Sequence, residues 1–202
     1  PKVLGYLDVL RHNKPVGKTV AVIGAGGIGF DVSEFLTHDF GKQPEGEQVS
    51  VADWQAEWGV NPAFEGPGGL AEREATASPR KIYLMQRKTG KVGAGLGKTS
   101  GWVHRSSLKH RDVEMLRGCR YDRIDDQGLH ITLTDKDGKS GESKVLPVDN
   151  VIICAGQESY RELFDQLTQG GVKAHLIGGA DLAEELDAKR AIRQGTEVAA
   201  SL

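Results

Sequence analysis

A glycine-spaced turn directly after a buried strand is the feature that most constrains how this chain can fold. The run Gly24-Ala25-Gly26-Gly27-Ile28-Gly29 fits the pattern Gly-x-Gly-x-x-Gly, and it follows the apolar, β-branched segment Thr19–Ile23. Apolar side chains then recur with helical spacing as far as Leu36. The order strand, tight turn, helix predicts a parallel sheet of the dinucleotide-binding type.

Each glycine of this motif has a mechanical role in such a site. Gly24 permits the turn, Gly26 lets the pyrophosphate approach the backbone, and Gly29 lets the helix pack on the strand. The helix that follows presents free N–H groups and a partial positive charge to the phosphates. We therefore predict that Gly24, Gly26, Gly27 and Gly29 bind a dinucleotide; a purely structural turn is the alternative.

The end of the second strand indicates which nicotinamide cofactor binds. An NAD site places Asp or Glu there, on the ribose 2′-hydroxyl, whereas the strand 81–86 of this chain is followed by Arg87 and Lys88. Two cations in that position suit a 2′-phosphate, so we predict NADPH rather than NADH. A solvated basic loop is the alternative.

The distance between these two motifs departs from the usual spacing. Arg87 lies far more than about 20 residues beyond Gly29. Residues 40–79 are rich in glycine and proline, and we interpret them as an insertion loop that contains one short helix near residues 54–58.

A third candidate segment leads into a helix predicted over residues 102–111. We predict that Lys98, Thr99 and Trp102 belong to the cofactor site, where the hydroxyls and backbone N–H groups of residues 98–102 would meet the diphosphate or the nicotinamide ribose. An ordinary capped helix start, with Thr99 or Ser100 as the N-cap, is the alternative.

The remainder of the chain predicts further strands. We expect a third parallel strand at 113–116, an antiparallel meander formed by 121–125, 129–134 and 144–147 with a turn at 135–138, buried strands at 151–156 and 174–181, and a last helix from 188 to 202.

The strand predicted at 174–181 ends in Gly178-Gly179-Ala180-Asp181, shortly before the last helix. In this respect the chain resembles the two-dinucleotide flavoproteins. That resemblance implies that Asp181 contacts the ribityl or pyrophosphate of FAD. It also implies that the helix start, Ala188, Lys189, Arg190 and Ala191, faces the pyrimidine edge of the flavin, where its dipole would stabilise the reduced form.

A closer resemblance covers almost the whole chain. Segments 95–102, 151–158 and 185–192 resemble the C-terminal portion of bacterial NADPH-dependent 2,4-dienoyl-CoA reductase, a family similar to trimethylamine dehydrogenase and the old-yellow-enzyme group. The resemblance implies a TIM barrel with FMN and a four-iron cluster, followed by an FAD domain into which an NADPH domain is inserted. It also implies hydride transfer from NADPH to FAD, electron flow through the cluster to FMN, and reduction of a dienoyl thioester in the β-oxidation of unsaturated fatty acids.

This chain departs from that family in three ways. It has no barrel, no cysteine cluster for iron, and only one Gly-x-Gly-x-x-Gly, which is assigned to NADPH. We therefore expect an α/β fold in which a Rossmann-like NADPH domain, with a parallel sheet and a β-meander, occupies 17–150. Residues 1–16 and 151–202 would be the remnants of a truncated FAD-binding domain with an incomplete FAD site. FMN and the 4Fe-4S cluster are expected only in an N-terminal barrel of the same polypeptide.

Composition excludes several other partners. The net charge is −2, from 26 Lys+Arg and 28 Asp+Glu, which gives no field for a nucleic acid or an anionic membrane. No apolar run approaches the roughly 20 residues of a membrane helix. The two cysteines, Cys119 and Cys154, are too far apart for a redox or zinc motif and indicate a reducing, cytoplasmic setting. The start at Pro1 rather than Met suggests a fragment, although a removed Met would look the same.

The sequence thus predicts an NADPH-binding module of a flavoprotein oxidoreductase, with no general acid, nucleophile or metal site of its own. A disulfide-reductase relative is disfavoured because Cys-x-x-Cys is absent. A non-catalytic NADPH sensor, or a subunit that donates electrons to another chain, is the remaining alternative.

Overall fold

The computed structural model describes residues 1–38, 50–74, 77–135, 139–184 and 188–202, which divide into two compact units, Pro1–Ala155 and Gly156–Leu202. The first unit contains all eight strands of the described residues and four of the six α-helices. No helix in these ranges is both long and apolar enough to span a membrane.

A five-stranded parallel sheet forms the centre of the first unit. Its strands are β1 (Val3–Gly5), β2 (Thr19–Ile23), β3 (Lys81–Met85), β4 (Glu114–Leu116) and β8 (Asn150–Ile153), in the spatial order β1-β8-β2-β3-β4. An antiparallel sheet of β5 (Cys119–Asp125), β6 (Gly128–Thr134) and β7 (Ser140–Leu146) forms the meander. The predicted fold class, a Rossmann-like parallel sheet with a meander, is confirmed.

Alternating side chains place the parallel sheet between two apolar layers. On one face, Val20 and Val22 of β2 pack in a buried cluster with Phe30. On the other face, Ala21 packs in a second buried cluster with Leu129 and Ile131 of the meander. Because every central strand is covered on both faces, the apolar run of β2 is continuous rather than alternating with polar residues.

The helices of the first unit are α1 (Tyr6–Leu10), α2 (Gly27–Leu36), α3 (Val51–Trp58) and α4 (Gly101–His110). The last three were predicted from the sequence, and α1 was not. Helix α3 confirms the short helix predicted within the insertion, whose residues 39–49, 75 and 76 lie outside the described residues. The guanidinium of Arg111, a residue only 6% exposed, donates to the Glu57 carboxylate at 2.7 Å and so anchors α3 beside the end of α4.

The second unit contains α5 (Glu162–Gln169), a 3-10 turn at Gly178–Ala180, and α6 (Ala188–Ala200). The strand predicted at 174–181 is wrong, since these residues form an irregular segment that ends in the 3-10 turn. A strand needs a neighbour to pair its backbone groups, and the described residues of this unit provide none. The meander turn at 136–138 and residues 185–187 before α6 lie outside the described residues.

The predicted domain boundaries at 16 and 150 concern a parent flavoprotein and stay predictions. Within this chain, β1 pairs with β8, which in turn pairs with β2. Residues 1–16 therefore contribute to the same sheet as the glycine-rich turn.

Candidate functional site

A cavity of about 380 Å³ lies at the carboxyl ends of β2 and β3. The chain leaves β2 towards β3 on one side, while β8 flanks β2 on the other, so this is the point where the strand order reverses. Ligands of open parallel sheets bind at such switch points. We call it the switch-point cavity; its lining residues are Ile23, Gly24, Ala25, Gly26, Gln86, Arg87, Lys88, Gly90, Lys91, Ala94, Gly95, Tyr121 and Ala155.

Two glycines of the motif are required by the fold itself. Gly24 has a φ of 110°, a conformation that L side chains rarely adopt, and its N–H donates to the Met85 carbonyl at 2.9 Å. A Cβ on Gly29 would lie 1.7 Å from the Gly24 carbonyl oxygen. Together they allow β2 to turn sharply into α2 at the mouth of the cavity.

Other glycines leave room rather than relieve strain. A Cβ on Gly26, Gly90 or Gly95 would meet no atom within 4 Å, although all three residues line the cavity. Gly26 has φ −87° and ψ −172°, which most residues can adopt. The absence of a side chain at these positions therefore keeps space open for a ligand. The sequence analysis identified Gly26 but missed Gly90 and Gly95. The regular glycine spacing of the basic loop could have pointed to both.

The start of α2 is prepared for an anion. The helix begins at Gly27, its N-cap is Gly26, no side chain caps it, and its first turn contains no acidic residue. The first N–H groups of a helix lack intrahelical acceptors and carry the positive end of the dipole. A diphosphate that approaches Gly26 would meet these donors.

Arg87 and Lys88 follow β3 after one residue, Gln86, and they line the cavity and are exposed to solvent. The loop backbone beneath them is fixed, because the Gln86 side-chain amide donates to the Lys88 carbonyl at 3.0 Å and to the Gly90 carbonyl at 2.9 Å. No Asp or Glu is among the lining residues. The rim of the cavity is therefore positively charged, and the turn that carries Arg87 and Lys88 is held by the hydrogen bonds of Gln86.

Two further lining residues, Tyr121 and Lys91, were not predicted. Tyr121 reaches the cavity from β5, and burial raises the pKa of its phenol above the ordinary value, against a smaller opposing effect of the Arg87 charge. The neutral hydroxyl can donate or accept a hydrogen bond. No sequence pattern indicates that Tyr121 lines the cavity, because its position depends on how the meander packs. Lys91 could have been identified, since it belongs to the basic loop that follows β3.

The segment before α4 lies elsewhere. Lys98 and Thr99 are exposed in the turn before the helix, and neither lines the switch-point cavity. Ser100 occupies the N-cap position but its side chain makes no capping hydrogen bond. Trp102, 59% exposed, lines a different cavity. Cofactor binding by Lys98, Thr99 and Trp102 stays a prediction.

The flavin-related residues all lie in the second unit. One Asp181 carboxylate oxygen accepts from the Gln194 side-chain amide at 2.9 Å, while the Gln194 carbonyl accepts from the Gly178 N–H at 2.7 Å. Gln194 thus ties the 3-10 turn to α6. Ala188, Lys189, Arg190 and Ala191 form the first turn of that helix. Contact of these residues with FAD stays a prediction.

Neither cysteine is suited to redox chemistry. Both are free and buried, and burial raises the pKa of Cys119 to about 11 and that of Cys154 to about 12. The thiolate is the reactive form, so both thiols are inert near neutral pH. Within the described ranges, no three His, Cys, Asp or Glu side chains are grouped to hold a metal ion.

The family model for pyridine nucleotide-disulphide oxidoreductases matches residues 7–189 of the chain. The chain belongs to this family. Its members are oxidoreductases that use FAD and NAD(P), and the open glycines, the uncapped helix start and the cationic rim of the switch-point cavity fit the NAD(P) part of that pair.

Individual relatives are distant. A metal reductase of Desulforamulus reducens is 25% identical over 184 residues, which span 89% of this chain and 24% of the reductase. A 2-naphthoyl-CoA reductase solved with 2-naphthoyl-CoA has a TM-score of 0.61 at 15% identity and covers 96% of this chain and 22% of its own. Histamine dehydrogenase from Rhizobium sp. 4-9 has a TM-score of 0.60 at 16% identity and covers 100% of this chain and 26% of its own. The chain thus spans about a quarter of the length of each, and the two structures support the fold alone.

Proposed function

We propose that this chain is the NADPH-binding module of a flavoprotein oxidoreductase that resembles 2,4-dienoyl-CoA reductase. The observation that carries the proposal is the rim of the switch-point cavity, where Arg87 and Lys88 follow β3 and no carboxylate is present. A carboxylate there would bind the 2′-hydroxyl of NADH and repel the 2′-phosphate of NADPH.

Different residues of the chain would bind the diphosphate and the 2′-phosphate of the cofactor. The N–H groups at the start of α2 receive the diphosphate, and the open space above Gly26 lets it reach them. Arg87 offers a planar fork of donors to the 2′-phosphate, and Lys88 adds a mobile charge. When bound, NADPH supplies hydride; the chain itself supplies position and electrostatic support.

In the parent protein, we propose that hydride passes from NADPH to FAD. Asp181 and the first turn of α6 would belong to the FAD site, which the rest of an FAD domain completes. Electrons would then pass through a 4Fe-4S cluster to FMN in an N-terminal barrel and reduce a dienoyl-CoA. The resemblance at 95–102, 151–158 and 185–192 supports this route.

Calorimetric titration of NADPH and NADH tests the cofactor assignment. We expect NADPH to bind more tightly, and Arg87→Ala to cost about 1–3 kcal/mol for NADPH, as for one charge-assisted hydrogen bond, with little effect on NADH. Arg123→Ala is the matched control, because Arg123 is an exposed arginine of the meander that does not line the cavity. Equal losses for both cofactors in the Arg87 variant would refute the proposal.

A further inference from the structure

A second cavity, of about 600 Å³, lies between α4 and β4, the edge strand of the parallel sheet. We call it the edge cavity. It has Lys91 in common with the switch-point cavity, and the other lining residues differ. Its volume falls within the range of about 300–1,000 Å³ that is typical of small-molecule sites.

The edge cavity is strongly cationic. Lys91, Arg105, Lys109 and Arg117 line it, and no Asp or Glu does. Arg105 donates to the Gly93 carbonyl at 3.0 Å, while the other three make no ion pair within the described part of the chain. Like charges gathered in a concave site raise the local potential, and a bound anion would relieve their repulsion.

The two carboxylates nearest in sequence, Asp112 and Glu114, do not line the edge cavity. Glu114 begins β4, between Val113 and Met115 in sequence, and successive side chains of a strand point to opposite faces. Val113 and Met115 line the edge cavity, whereas the Glu114 carboxylate lies 3.7 Å from the Lys144 ammonium of the meander. The four cations therefore have no carboxylate among the lining residues of the edge cavity.

The same cavity also has an apolar floor and an aromatic wall. Val92 and Val113 are buried, and Met115 is half-buried beside them. Trp102 is 59% exposed and lies one turn before Arg105 on the face of α4 that also carries Lys109. Such a site suits a ligand that combines a flat ring with a compact anionic group, because an inorganic anion would leave the ring and the floor unused.

We propose that the edge cavity binds a nucleoside phosphate, with its base against Trp102 and its phosphate held by Arg105, Lys109 and Arg117. The ligand is a free nucleotide, because the proposed function places the 2′-phosphate of NADPH on Arg87 and Lys88 in the switch-point cavity.

Adenosine 5′-monophosphate is the probe, since it lacks the 2′-phosphate that Arg87 and Lys88 are proposed to bind. It should bind the whole chain and change the fluorescence of Trp102, and Trp102→Phe should remove this change, since Trp54 and Trp58 are not in the cavity. The double variant Lys109→Gln/Arg117→Gln should weaken binding at least about 10-fold in calorimetry. Both residues are exposed and form no ion pair with the described residues, so the variant should fold.

The charge-matched control is Lys18→Gln/Lys139→Gln, which removes two exposed lysines outside both cavities. Its affinity for the probe should stay within about twofold of the wild type, because general electrostatics alone would affect both doubles alike. Equal weakening in both doubles, or a fluorescence change that persists in Trp102→Phe, would overturn the proposal.

Two further titrations separate this inference from the proposed function. The probe and NADPH should bind simultaneously, whereas displacement of the probe by NADPH would overturn the inference by assigning the edge cavity to that cofactor. Loss of NADPH binding in Arg87→Ala, with neither ligand affected by the edge-cavity double, would leave the proposed function standing and remove the edge-cavity site.

Discussion

Two glycines only three positions apart should respond to substitution in opposite ways. Gly26→Val adds a branched side chain where a Cβ meets nothing within 4 Å, on a backbone at φ −87° and ψ −172° that valine can adopt. Gly29→Ala adds a single methyl group 1.7 Å from the Gly24 carbonyl oxygen. The first change fills the ligand's space, and the second strains the fold.

The expected magnitudes follow from these contacts. Gly26→Val should lower the free energy of unfolding by less than about 1 kcal/mol, the range for a poorer N-cap residue. If the valine separates the diphosphate from two helix donors, each worth roughly 1.5–3 kcal/mol, NADPH affinity should fall about 10²–10⁴-fold. Gly29→Ala should cost about 1–3 kcal/mol or more through overpacking, which corresponds to roughly 2–4 °C in Tm per kcal/mol.

Thermal melting and NADPH calorimetry on both variants form the assay. The expected pattern is a near-normal Tm without NADPH binding for Gly26→Val, and a lowered Tm for Gly29→Ala. Wild-type affinity in Gly26→Val would show that the glycines serve only the turn. A large drop in its Tm would show that the space above Gly26 is needed by the fold rather than by a ligand.

Three other expectations are open to direct measurement. After incubation with excess FAD and desalting, the chain should retain little flavin and show no dienoyl-CoA reduction despite Asp181, since its one glycine-rich turn is assigned to NADPH; stoichiometric flavin that bleaches with NADPH would instead make it a complete reductase module. A thiol-specific disulfide reagent at pH 8 should label Cys119 and Cys154 slowly until the protein is denatured. Because burial raises both thiol pKa values above 9.0, the stability they contribute should be complete below about pH 9 and decline as the pH rises towards 11–12; rapid labelling of the folded protein would contradict their burial. Arg111→Ala should lower the free energy of unfolding by about 1–3 kcal/mol, a discounted range because Glu57 is partly exposed, and an unchanged denaturant midpoint would show that the pair does not anchor α3.

The sequence predicted those parts of the fold that depend on local pattern. The turn at Gly24 and the helices near Trp58 and Trp102 were located to within a few residues, because their glycine spacing and apolar periodicity are local signals. The strand expected at 174–181 failed because its apolar residues do not reveal whether a partner strand exists.

The residues of the candidate site were predictable only where they follow directly from the predicted strands. Arg87 follows a predicted strand, so its place at the sheet edge was a consequence of topology. Tyr121 comes from the meander and Lys91 from a loop, and their positions at the switch-point cavity depend on tertiary packing. Trp102 lines the edge cavity, and its predicted contact with a cofactor stays a prediction.

The Gln86 hydrogen bonds that hold the turn beneath the cationic rim affect how the coenzyme preference of this module could change in evolution or by design. Gln86 holds the turn through the backbone carbonyls of Lys88 and Gly90, so the path of the chain does not rely on the side chains of Arg87 and Lys88. On the proposed function, coenzyme preference would therefore depend on two side chains that can be replaced without a change in the turn. A substitution of Arg87 by an acidic residue would present a carboxylate to the ribose while the loop keeps its path. One residue change would therefore shift the proposed preference from NADPH towards NADH.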